Sequence, residues 1–268
     1  MAGENFDGSK RKLINIVPLK TTVMRSLLFT FLILLSQMVH AQTSDGFMGI
    51  MMGAAIPLGD FASTDYDNPQ AGYATTSFNL TMDGAYLVND YLGFGGAVSF
   101  SNNSLSTGDV KTNLERYVKE NYPDAELPED LTLISYDLGV WNHVNLMVGP
   151  FLSLPANRIH FDFRALGGLA FIFPPESEMY FMTDDDEFRT YRDNKGKVSF
   201  GYMVGGGIRY MSRKNAIIRL MADYSSTKTT IEITDYHIDI DLPEDTRKTE
   251  HTQPMHTVHV GLGIGYAF

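Results

Sequence analysis

Seven ionisable residues fall where strand alternation aims them away from an apolar face: Asp83, Asp137, Asp162, Arg164, Arg209, Arg219 and Asp223. Carboxylates and guanidinium groups gathered on one side of successive strands either pair across an enclosed space or line a path for ions. An enclosed space predicts pairing, because a buried charge without a partner is costly. A path would keep the same groups in water. An eight-stranded bore is about as wide as the side chains that fill it, so pairing is the expected arrangement and a narrow passive pore is the alternative.

Other residue types suggest other chemistry. Ser225, Ser226, His251 and His256 sit near one end of neighbouring predicted strands, with Asp223 below them. A nucleophile, a base and an orienting acid are drawn from such groups, so a rim hydrolase acting on lipid A or peptide is a second alternative. No hydrolase motif accompanies them, and a catalytic site is not expected. The run Asp184 to Glu187 and the scatter Asp235, Asp239, Asp241, Glu244 and Asp245 offer oxygens of the kind calcium takes. They lack the spaced acids and central glycine of an EF-hand loop, which predicts solvated acidic loops. His143, His237, His251, His256 and His259 are too dispersed for a metal motif, and there is no cysteine. No metal or cofactor is therefore expected.

The elements that position these groups read as strands. From Met255 to the end, Val258, Val260, Leu262, Ile264, Tyr266 and Phe268 alternate with Thr257, His259, Gly261, Gly263, Gly265 and Ala267. One face suits oil and the other a crowded or wet interior. The same pattern recurs over 46–58, 78–88, 91–101, 134–153, 158–171, 198–210 and 216–224, which makes eight strands. Connections alternate between long (59–76, 102–133, 173–197, 227–254) and short (89–90, 155–157, 212–215). Leu114, Tyr117 and Val118 recur at helical spacing in the second long connection, predicting a short amphipathic helix there. The remaining long connections read as polar loops.

This asymmetry predicts an all-β fold: an eight-stranded antiparallel transmembrane β-barrel with short periplasmic turns and four long extracellular loops. A lipocalin-type barrel would reverse the two faces. Aromatics at both strand ends predict two interfacial girdles, with Phe47, Tyr86, Phe161, Tyr210, Tyr266 and Phe268 on the periplasmic side. Phe78, Phe100, Tyr136, Phe171, Phe200 and Tyr224 make the outer one.

The apolar run Leu27 to Leu35, preceded by Met24-Arg25 and followed by Val39-His40-Ala41, has the layout of a signal peptide over 24–41. It is about half the roughly 20 residues a membrane-spanning helix needs. Residues 1–23 read as an over-extended frame or a long charged leader, and 42–268 as the barrel. The whole chain carries net charge −11; without residues 1–41, which hold five of its 21 Lys and Arg and two of its 32 Asp and Glu, the net is −14. That argues against a nucleic-acid partner, which needs a basic surface.

Phe47 to Phe61 (FMGIMMGAAIPLGDF), Val148 to Gly168 (VGPFLSLPANRIHFDFRALGG) and the final GLGIGYAF resemble the small outer-membrane β-barrel proteins common in Bacteroidota. The likeness is broadly to PorT-like barrels or to the barrel half of outer-membrane protein A, and it spans nearly all of 42–268. No peptidoglycan-binding domain follows in this sequence, so a cell-wall anchor of that kind is not expected. The resemblance implies residence in the cell outer membrane among lipid and lipopolysaccharide. It implies insertion by the barrel-assembly machinery through the terminal strand, and a protein partner at the external loops. A structural or surface-interaction role is the expectation, with an accessory part in a secretion machine as a further alternative.

Overall fold

The computed structural model describes residues 46–121, 132–182, 187–239 and 245–268. The leader reading of 1–41 lies outside the described residues, as do Asp184 to Asp186, Asp241 and Glu244. Eleven strands and one helix of three or more turns are present in the described residues: β1 (Gly46–Leu58), β2 (Ser77–Leu87), β3 (Leu92–Ser104), α1 (Thr107–Asn121), β4 (Thr132–Leu138), β5 (Val140–Ala156), β6 (Ile159–Phe173), β7 (Ser177–Met182), β8 (Glu187–Asn194), β9 (Lys197–Met211), β10 (Ala216–Asp239) and β11 (Asp245–Ala267).

Strands β1, β2, β3, β5, β6, β9, β10 and β11 pair in that order, each antiparallel to the next. β1 pairs back on β11 from Phe47 opposite Ala267 to Leu58 opposite His256, so the ring of eight closes and has no free edge. Parity along each strand sorts the side chains. Ile264 is 71% exposed on the outside, whereas Arg219 on the neighbouring strand is 1% exposed on the inside. Large aliphatics outside and charge inside invert the order of a water-soluble barrel, and only a lipid exterior makes that inversion stable.

The short connections lie together at one end of the ring. Asn157 (φ 63°) and Asn215 (φ 59°) sit in two of them, in the left-handed region that asparagine tolerates better than most residues. The long connections rise from the other end, which by the asymmetry of such barrels is extracellular.

Three of the sequence expectations change here. The segment Ile134 to Leu152 is not one strand: Gly139 leaves the ladder, its N–H bonding Glu176 O at 2.8 Å, and β4 turns aside to pair with β7. The stretch 173–197 is not a plain loop: within it β7 and β8 pair antiparallel, from Ser177 opposite Arg192 to Met182 opposite Glu187. Residues 227–237 and 245–254 are also laddered, with β10 and β11 paired out to His237 opposite Asp245. At about 3.3 Å per residue, the 24 residues of β10 run far past the roughly 25 Å apolar band of such a barrel. Beyond the band, β10 also pairs with β8, giving an extracellular sheet in the order β11, β10, β8, β7, β4. Its polarity reads as loop, yet Thr229, Thr230, Ile231, Ile233 and Thr234 are β-branched and suit a pleated strand. The helix α1 forms where helical spacing places it.

Candidate functional site

The bore begins at the periplasmic end with Phe47. The sequence reading assigns it to the lipid-facing periplasmic girdle, but β1 sends its even residues outward, and Phe47, an odd one, is 2% exposed inside. Its ring meets Phe151 edge-on at 5.4 Å, packed with Ile217 and Ala85. The guanidinium carbons of Arg209 and Arg219 lie 4.2 and 4.8 Å from its centroid, a contact that gains strength away from water. Strand parity, followed strictly, is the signal that identifies it.

Above this aromatic floor stand six of the seven ionisable residues singled out by the sequence. Arg164 on β6 donates from Nε and Nη2 to the two oxygens of Asp223, each at 2.7 Å, and from Nη1 to Asp83 Oδ2 at 2.5 Å. The other Asp83 oxygen accepts from Arg219 Nη1 at 2.5 Å. Arg209 forks onto Asp162 at 2.8 and 3.1 Å, and its Nη2 also donates to Ser153 Oγ at 2.9 Å. The Ser153 hydroxyl in turn donates to Asp162 Oδ1 at 2.9 Å. Three arginines and three aspartates make the cluster neutral, and all six are less than a tenth exposed. Such forked, charge-assisted bonds are the strong ones.

A backbone detail makes room for it. A Cβ added at Gly205 would lie 2.0 Å from Asp223 Oδ1, so the bare glycine lets that carboxylate cross toward Arg164. Asp137 does not join. It lies on β4, opposite Glu178 of β7 and off the ring, and its side chain lies outside the described residues. Ser153, which β5 turns into the bore, completes the Arg209 pair.

The extracellular mouth is covered by residues 59–76. Phe61 folds inward, fully buried, at 5.6 Å from the Trp141 ring and 5.4 Å from that of His143. Trp141 Nε1 donates to Gly72 O at 3.0 Å, Gln253 Nε2 to Gln70 O at 2.9 Å, and Asn103 Nδ2 to Thr75 O at 2.8 Å. Ala74, Ala170, Ile172, Ile231 and Met255 fill in around them. Helix α1 holds this lid from outside: Asn113 Nδ2 donates to Thr64 O and to Tyr73 Oη, both at 2.8 Å. Arg116 lies 4.5 Å from the Tyr66 ring and bonds Glu120 at 2.8 Å, which raises the guanidinium pKa above its ordinary value.

The suggested serine–histidine groups are distributed differently from the sequence expectation. Ser225 Oγ lies 2.9 Å from His259 Nε2, inside the bore. His256 Nδ1 pairs with Tyr224 Oη at 2.8 Å on the outer face, and His251 Nε2 with Gln253 Oε1 at 3.3 Å. Among the described residues no carboxylate is hydrogen-bonded to His259, whose Nδ1 has no partner there. Among the described residues, no three His, Asp or Glu side chains converge as a metal site would require. Asp235, Asp239 and Asp245 lie on β10 and β11, their side chains outside the described residues. On the terminal strand Val258 is half-buried, and Val260, Leu262, Ile264, Tyr266 and Phe268 are exposed on the outer face.

No protein-family model matches the chain, and no curated protein is similar to it in sequence. Solved structures of similar architecture include the Neisserial surface protein A, at 8% identity and a TM-score of 0.40, covering 85% of this chain and 100% of that one. A major outer-membrane protein of Thermus thermophilus is 12% identical with a TM-score of 0.43, covering 83% and 99%. The attachment invasion locus protein of Yersinia pestis is 16% identical with a TM-score of 0.35, covering 84% and 99%. The closed antiparallel ring, oily outside and charged inside, independently defines this chain as an eight-stranded transmembrane β-barrel of the outer-membrane type.

Proposed function

We propose that this protein is a non-enzymatic outer-membrane barrel that works through its extracellular β-sheet, as a surface-interaction or structural element. The observation that carries the reading is the closure of the bore at both ends, by Phe47 with the arginine–aspartate cluster below and by Phe61 with Trp141 above. A barrel so filled leaves its external surface as the part available to partners. Ser225 and His259 face the interior under the lid, without an orienting acid, which speaks against a rim hydrolase. Lipid and lipopolysaccharide surround the barrel in this reading, the assembly machinery recognises β11, and a protein partner docks on the sheet.

Reconstitution into planar bilayers tests closure: no steady single-channel current is expected, and large stable openings overturn it. Co-purification from native membranes, with and without residues 228–253, tests the sheet; partners retained without the hairpin count against it. A leader cut after Ala41 belongs to the same reading. Amino-terminal sequencing of the membrane-extracted protein is expected to begin at Gln42.

A further inference from the structure

Above the mouth, β11 loses its neighbour on one side. β1 ends at Leu58, opposite His256, while β11 continues to Asp245 with only β10 beside it among the described residues. Gly46 and Phe268 exchange both of their backbone bonds, at 3.0 and 2.9 Å, whereas Ala267 N–H donates to Asn215 O at 2.9 Å. Even residues of β11 therefore aim N–H and C=O at the β1 side and odd residues at β10, and the register runs on to Asp245 without a bulge. The lower part of the free edge is blunted. Pro254 has no donor, its carbonyl accepts from Gln253 Nε2 at 3.1 Å, and Thr252 O accepts from Gln70 Nε2 at 3.4 Å. Higher up, Glu250 and Lys248 keep both edge-facing backbone groups unpaired among the described residues, and Lys248, Thr249 and Glu250 are all exposed.

The charges on that edge fit one partner. Across the ladder Glu250 faces Glu232, a like-charged pair that is unfavourable in a sheet. Lys248 Nζ at 4.0 Å and Lys195 Nζ at 3.9 Å attend Glu232, and among the described residues Glu250 has no ion pair. We propose that this edge pairs with the same edge of a second copy of the chain, antiparallel and centred on Thr249. Lys248 of each copy then faces Glu250 of the other, each such pair exchanging both backbone bonds, and Thr246 faces Thr252. Centring one residue lower sets Glu250 on Glu250, and one higher Lys248 on Lys248, so charge selects a single register. The backbone bonds supply most of the attraction, since an exposed ion pair contributes little alone. Two copies in one membrane cannot pair this way, because every β11 there descends toward the periplasm. The second copy therefore lies in an apposed membrane, and the contact, being isologous, closes as a pair. Thr249 stands roughly 30 Å along the strand beyond Val258, at about 3.3 Å per residue, which holds the edge clear of the bilayer. This inference rests on the reading of the extracellular sheet as the working surface.

Two populations of phosphatidylcholine vesicles, differently dyed and both carrying the full barrel, test it by fluorescence cross-correlation. Wild-type vesicles are expected to tether to each other and not to protein-free vesicles. Lys248→Glu alone and Glu250→Lys alone are each expected to lose tethering to their own kind while keeping the wild-type melting temperature. Mixing the two variants brings complementary edges together and is expected to restore tethering, as is K248E/E250K in one chain. Wild-type vesicles that stay apart, single variants that tether as the wild type does, or a mixture that stays apart overturn the proposal. Tethering to protein-free vesicles also overturns it, because lipid would then be the occupant. Partners lost with residues 228–253 while wild-type vesicles stay apart would leave the sheet reading standing and remove only the self-pairing.

Discussion

The two halves of the bore are closed by different physics. At the periplasmic end six charges cancel above an aromatic ring, Arg164 and Arg209 through forked bonds and Arg219 through one bond to Asp83 that leaves its Nε and Nη2 over Phe47 without a hydrogen-bond partner. At the extracellular end, closure comes from a loop whose Phe61 packs on Trp141, above side chains whose polar atoms are unpaired by protein. The lower half sits on the ring strands, where each group is fixed by a ladder on both sides. The upper half depends on residues 59–76, which make one isolated bridge, Ala74 to Leu105, and a few side-chain bonds. The lower half is therefore part of the barrel's global stability, whereas the lid can open locally at smaller cost.

The largest effect is expected from Arg164→Ala. It leaves Asp83 and Asp223 buried beside each other without their shared cation, which costs about 3–5 kcal/mol. Equilibrium unfolding by urea in lipid vesicles measures it, and a loss below that of a lid substitution would remove the contrast between the halves. Next comes Leu262→Arg on the outer wall, with about 2–4 kcal/mol for a charge facing lipid near the midplane. The same unfolding assay applies, with Thr257→Ser on the inner face expected to be mild.

A smaller loss separates packing from charge. Gly205→Ala puts a methyl where Asp223 Oδ1 now lies, and overpacking of this kind costs about 1–3 kcal/mol. The expected companion is a weakened Arg164–Asp223 pair, read by the crystal structure of the variant; an undisturbed pair would show that the glycine is incidental. The smallest global effect is expected for Trp141→Phe, which keeps the ring against Phe61 and removes the bond to Gly72 O, worth about 1 kcal/mol. Its distinguishing readout is local: amide exchange in 59–76 should quicken while that of β9 and β10 stays slow. Uniform acceleration across the barrel would mean that lid and ring unfold together.

Much of this was legible in the chain because side-chain parity is a property of a single strand. Val258 to Phe268 on one face and Thr257 to Ala267 on the other need no partner to be sorted, and short turns alternating with long connections imply neighbours in sequence that are neighbours in space. The eight strands, their antiparallel order, the oily exterior and the inward placement of Asp83, Asp162, Arg164, Arg209, Arg219 and Asp223 follow from that local arithmetic. Phe47 was legible too, had its odd position on β1 been weighed above its place at a strand end.

The tertiary structure alone decided which charges meet, because partners across a bore depend on the stagger of several strands at once and not on parity in any one. Arg164 reaches two aspartates and Arg209 only one; no spacing in the chain encodes that difference. The same holds for Ser225, which meets His259 rather than His251 or His256 because its strand parity points it inward while His256 points out. Residues 227–239 became strand because β8 and β11 flank β10 there and satisfy its backbone, an outcome of pairing that polar composition hides. Asp137 left the ring for a similar reason: Gly139 found its hydrogen bond on Glu176, and the chain turned away one residue before the barrel strand began.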